Sequence, residues 1–166
     1  MTDLKRRLES REAPIRCAVV GIGSIGKGLA FQCLNTPGFA LLAIADIALD
    51  RAVACAEWLG RPYDVVDSAA ARDAAIAAGR LAVSADGELV SGAPGCDVLI
   101  EASNAVHAGA IHARTALAKG QHVVMMNYET EMMYGPLLLR EAEQAGLVYT
   151  CADGDQPTVI KRIVDD

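Results

Sequence analysis

Aromatic side chains are scarce in this chain of 166 residues, which carries one tryptophan, four tyrosines and two phenylalanines. So few rings offer no stacking platform for single-stranded nucleic acid. Basic charge is also in deficit, with 15 Lys and Arg against 21 Asp and Glu, a net charge of −6. That balance argues against a nucleic-acid or membrane-surface partner. Long apolar runs are missing too, each being cut by Gly, Asp or His before it could span a bilayer. Residues 1–12 are too charged to hold the apolar centre of a secretory signal, so the expected location is cytoplasmic. The cysteines Cys17, Cys33, Cys55, Cys96 and Cys151 form no CxxC pair and no Cys/His cluster. Dispersed and odd in number, they read as reduced apolar filler, with Cys151 the best placed for thiol chemistry. No internal repeat or low-complexity tract is present.

What remains is a chain with 52% hydrophobic and 22% charged residues, long enough for one domain with a sizeable core. Residues 15–20 read as a buried strand, and Gly21-Ile22-Gly23-Ser24-Ile25-Gly26 follows at once. In that run Gly21 permits a sharp turn, Gly23 leaves room for a pyrophosphate against the main chain, and Gly26 lets the next helix pack on the strand. The phosphates belong at the N-terminus of that helix, where free amides and the dipole converge. About 20 residues further on, Asp46 ends the strand 39–45, positioned to accept both hydroxyls of an adenosine ribose. Such a carboxylate repels a 2′-phosphate, which favours NAD over NADP. Arg51 keeps the NADP option open, its alternative being a solvated place in the next helix.

The rest of the chain alternates. A charged helix or arm occupies 4–11, helices are expected over 24–34, 48–59 and 68–78, and a strand over 81–84. Asp86-Gly87 reads as a turn and residues 91–95 as a loop. Strands follow at 97–102, 122–126 and 147–150, separated by helices over 106–118 and 135–145. This order predicts a doubly wound parallel α/β sheet, a Rossmann-like dinucleotide-binding domain over 15–156 after an arm over 1–14.

In such a sheet ligands lie beyond the carboxyl ends of the strands. Ser103 and Asn104 either line the nicotinamide ribose or cap the next helix, Asn104 being a good N-cap. Asn127 could hold the ribose or a substrate oxygen. Glu129 could bond a ribose or act as an acid/base group, its alternative being a first-turn helix carboxylate. Asp153-Gly154-Asp155 either orients a polyol or cation or is a plain polar loop, and no metal is expected. His107, His112 and His122 form no catalytic or metal-spaced set and read as helix-surface or cap residues. The paired methionines 125–126 and 132–133 read as core or interface filler.

Taken together, the glycine run, the strand end His122 to Asn127 with Glu129, Gly135-Pro136-Leu137, and Tyr149 through Gly154-Asp155-Gln156-Pro157 carry a resemblance. The chain resembles the homoserine dehydrogenase-like oxidoreductases, and among them the subgroup similar to the second type of deoxyxylulose-phosphate reductoisomerase. The resemblance implies an NAD(P)-dependent oxidoreductase moving hydride between nicotinamide and a small carbonyl or alcohol substrate, with the cofactor set against Ser103, Asn104, Asn127 and Glu129. It also implies a homo-oligomer. Homoserine dehydrogenases proper have an Asn-Lys pair where this chain has Asn127-Tyr128-Glu129, which argues against homoserine as the substrate. Relatives preferring NADPH lack the acid found at Asp46. In this group a substrate domain carrying the catalytic lysine and aspartate follows, and residues 157–166 read as the helix leading into it. The expectation is therefore a fragment or a cofactor domain that binds NAD(H) with little turnover. A non-catalytic NAD(H) sensor and a domain for another adenosine ligand are the alternatives.

Overall fold

The structure, a computed structural model, describes residues 3–152. The loop from Asp153 to Pro157 and the helix expected over 157–166 lie outside the described residues. The elements run α1 (Asp3–Glu9), β1 (Ile15–Val20), α2 (Ser24–Asn35), β2 (Phe39–Ala45), α3 (Leu49–Leu59), β3 (Tyr63–Val65), α4 (Ala69–Ala77), β4 (Leu81–Ser84), α5 (Gly87–Ser91), β5 (Val98–Glu101), α6 (Val106–Ala118), β6 (His122–Met125), α7 (Tyr128–Ala145) and β7 (Tyr149–Cys151). The seven strands are parallel throughout, in the order β3-β4-β2-β1-β5-β6-β7. This is a doubly wound, Rossmann-like α/β sheet. None of the described helices is long and apolar enough to cross a membrane.

Strand alternation splits the core into two layers. Cys17 and Val19 of β1 face α2 and α3, packing on Ala30, Cys33, Ala52 and Cys55. Ala18 and Val20 face the other side, toward α4 to α7, where Ala75, Val90, Ala113 and Leu138 cover the sheet. Along β2 the pairing with β1 skips Leu42, since Cys17 pairs Leu41 and Ala18 pairs Ala43. This bulge puts Leu41 in one layer and Ala43 in the other, and it keeps Ala45 and Asp46 level with the end of β1.

Four expectations are corrected here. β3 was not foreseen, because three residues at the sheet edge, ending in the exposed Val65, carry no alternating pattern. Asp86-Gly87 opens a short helix instead of a turn, since the Asp86 carboxylate accepts from the amides of Glu88 and Leu89. Asn104 does not cap α6. Ala105 holds the cap position, and its amide donates to Ser103 Oγ at 3.3 Å. Helix α7 starts at Tyr128, seven residues before the expected Gly135, and continues through Pro136. A mid-helix proline costs about 3 kcal/mol. Here the Asn127 cap on Thr130 and the buried row Thr130, Gly135, Leu138 and Ala142 hold the helix through it.

Cys17, Cys33, Cys55 and Cys96 are buried thiols outside any disulfide, in keeping with the apolar-filler reading. Burial pushes the Cys96 thiol up to about 12, which leaves it unreactive at neutral pH.

Candidate dinucleotide-binding site

Chain order reverses at β1, with β2 on one side and β5 on the other. A crevice opens above such a reversal because the connections leave toward opposite faces of the sheet. The crevice holds a cavity of about 750 Å³, walled by the turn after β1, the ends of β2 and β4, and the β5–α6 turn. That volume suits a ligand of cofactor size.

Gly21 and Gly23 line the cavity, and Gly26 supports them from below. Gly21 has φ +89°, and a Cβ there would stand 2.3 Å from the Ser103 amide nitrogen, so a side chain is barred both by conformation and by the β5–α6 turn. A Cβ on Gly26 would lie 1.7 Å from the Gly21 carbonyl oxygen. Gly26 thus sets how closely α2 meets β1. Gly23 differs, with open space around the position of its missing Cβ. It lines the cavity with Ser24 and Ile25. No side chain caps α2 and no acid stands in its first turn, so its amide end is presented to the cavity as an anion site.

Asp46, only 5% exposed, stands at the end of β2. Its Oδ2 accepts the Ile22 amide at 2.8 Å and its Oδ1 accepts the Ala48 amide at 2.9 Å. Arg51 Nη1 lies 3.2 Å from both oxygens. A carboxylate offers about four acceptor positions, so these contacts fill it. The Arg51 side chain is 56% exposed and free to swing outward, releasing two positions for a ribose diol.

The structure brings Gly21, Gly23, Ser24, Ile25, Asp46, Ser103 and Asn104 together around this cavity, with Arg51 at its rim. Four predicted residues are placed otherwise, among them Gly26, which is buried against the Gly21 carbonyl and does not line the cavity. Ile22 is buried in the core below, contributing its amide to Asp46. Asn127, 2% exposed, spends its side chain on the α7 cap and on the Ala105 carbonyl. Glu129 is exposed on the first turn of α7, away from the cavity wall.

Glu101 escaped the sequence reading, and His112, expected on the helix surface or at a cap, is instead 12% exposed and lines the cavity. Glu101, fully buried at the end of β5, accepts from the Ser103 amide at 3.1 Å, from Ser103 Oγ at 2.5 Å and from His112 Nδ1 at 3.2 Å. It stiffens the β5–α6 turn, and through His112 it reaches the cavity wall. An acid ending a strand and a histidine eleven residues later on a helix have no spacing that marks them as partners. Only the strand-end position of Glu101 gave a signal.

Neither a family model nor a curated protein matches the sequence. Solved structures do match the fold. A homoserine dehydrogenase from Thiobacillus denitrificans is 21% identical, with a TM-score of 0.62 over 83% of this chain and 29% of its own. The scyllo-inositol dehydrogenase from Lactobacillus casei, solved with NAD(H) and scyllo-inositol, is 17% identical, with a TM-score of 0.64 over 92% of this chain and 41% of its own. Biliverdin reductase from Synechocystis, solved with biliverdin and NADP+, is 18% identical, with a TM-score of 0.61 over 84% of this chain and 38% of its own. The chain spans between 29% and 41% of the length of these structures.

Proposed function

We propose that this chain is the cofactor-binding part of an NAD(P)-dependent oxidoreductase of the homoserine dehydrogenase-like kind, acting with a substrate-binding part on a small carbonyl or alcohol. One observation carries the reading. An uncapped helix end, an open glycine and a buried strand-end carboxylate face a single cavity of about 750 Å³. Their separation along the chain is the one that a dinucleotide requires. The pyrophosphate lies on the α2 amides beside Gly23, and Asp46 holds the adenosine ribose once Arg51 moves aside. NAD is the preferred cofactor. Arg51 gives NADP a route, because on swinging out it can meet a 2′-phosphate.

When bound, the cofactor supplies hydride chemistry, and the protein supplies placement and exclusion of water. Ser103 and Asn104 flank the nicotinamide side from the β5–α6 turn. Asn127 contributes by fixing α7 beneath that side. Glu129 is the carboxylate proposed for proton transfer to a substrate approaching over the start of α7. Its place off the cavity wall also supports a second reading, a non-catalytic NAD(H)-responsive module. Calorimetric titration with NAD(H) and NADP(H), followed by NADH oxidation assays against small aldehydes and ketones, separates the two. Turnover once a substrate-binding part is supplied favours the enzyme, and binding without turnover even in its presence favours the module. Absence of binding to either cofactor refutes both.

A further inference from the structure

His112 belongs to the middle of α6, with its side chain 12% exposed between Glu101 and the start of α5. A Cβ on Gly87 would lie 2.5 Å from its Nε2 and 2.6 Å from its Cε1, so the absence of that carbon is what lets the ring reach the cavity. The other nitrogen faces the buried Glu101 carboxylate. A carboxylate accepts, so Nδ1 carries the proton and Nε2 is left as an acceptor in the neutral ring. No hydrogen bond among the described residues occupies Nε2. Nearby polar groups are engaged elsewhere. Asp86 caps α5, and Ser91 Oγ donates to the Gly87 carbonyl.

We propose that His112 is a ligand-contact residue of the dinucleotide cavity, with Nε2 accepting a hydrogen bond from an amino or hydroxyl group in the adenosine half, and that Glu101 is the positioning residue which orients it. The inference rests on the dinucleotide reading above. The adenosine half is chosen because Gly87, against which the ring stands, follows β4, and β4 pairs with the β2 strand that presents Asp46. A buried carboxylate fixing one ring nitrogen so that the other can serve a ligand is the arrangement that holds metal-bound and catalytic histidines in register. Here it serves recognition.

Two isosteric variants separate contact from packing. In His112→Asn the amide nitrogen can replace Nδ1 toward Glu101 while nothing reaches the cavity. In His112→Gln an amide oxygen can replace Nε2. Affinities for NAD+, ADP-ribose, AMP and nicotinamide mononucleotide are measured by calorimetry, with thermal melts alongside. Losing one neutral hydrogen bond weakens binding by roughly three- to tenfold. That loss is expected in His112→Asn for NAD+, ADP-ribose and AMP but not for nicotinamide mononucleotide, with His112→Gln restoring affinity to within about twofold of wild type. Nitrogen-15 spectra of the neutral ring are expected to show the proton on Nδ1. Unaltered affinity in His112→Asn, equal loss in both variants, loss confined to nicotinamide mononucleotide, or a proton on Nε2 overturns the assignment. If wild type binds none of the four probes, the dinucleotide reading itself fails.

Discussion

The amide of Ile22 donates to Oδ2 of Asp46 at 2.8 Å, which ties the middle of the glycine turn to the acid that ends the neighbouring strand. The parts of the cavity proposed for the phosphates and for the ribose are therefore one hydrogen-bonded unit. Asp46→Ala removes the ribose acceptor and strands the buried Ile22 amide, whose desolvation costs about 1–3 kcal/mol. NAD(H) affinity is expected to fall at least about tenfold, with preference shifting toward NADP(H) and a lowered melting temperature. Calorimetry and thermal unfolding on the same samples check both effects.

Gly23 and Gly26 differ in what they do, although the motif treats them alike. Gly26→Ala drives a methyl into the Gly21 carbonyl, 1.7 Å away, so the fold must shift; a loss of about 1–3 kcal/mol or more is expected from overpacking. Gly23→Val meets open space and should fold with a melting temperature close to wild type, yet lose dinucleotide binding because the side chain fills the phosphate position. Denaturant melts paired with binding isotherms distinguish the two.

Arg51 covers the carboxylate that a ribose needs and is the cation nearest to where a 2′-phosphate would lie. Arg51→Gln is expected to leave NAD affinity within about threefold while weakening NADP by about tenfold. The ratio of the two dissociation constants is the measurement.

At the amino-terminal end of the central strands, opposite the cavity, Arg16 and Asp97 join β1 to the start of β5 through three hydrogen bonds of 2.8 to 3.0 Å. The Arg16 side chain holds the Asp97 carboxyl below its ordinary range. A depressed carboxyl stabilises the folded state fully above its unfolded value of about 4 and ceases to do so as pH falls through the folded value. Wild type should therefore lose melting temperature between about pH 5 and pH 2 more steeply than Asp97→Asn. Because Asp97 is 37% exposed, solvent screens the pair and the difference is modest.

The parallel sheet and the glycine turn were legible because strand length, glycine position and terminal acid are local features with a fixed order. β1 and β2 match their expected spans residue for residue. The misses share a different cause. β3 takes its structure from pairing with β4, and α7 overrides Pro136 through a distant buried face, neither of which periodicity registers. Asn127 reads in the sequence as a ribose or substrate-oxygen ligand, and the cap it forms instead is hidden there because the helix is expected only from Gly135. Glu101 and His112 meet only once β5 and α6 are folded against each other.

On the proposed function, the turn after β1 receives a diphosphate while Asp46 receives the adenosine ribose. Titration of NADH into the protein and into Gly23→Val, followed by energy transfer from Trp58 or by calorimetry, tests it most directly. One site per chain in the wild type and none in the folded variant is the predicted result. Equal binding by both proteins, or no binding by the wild type, contradicts it.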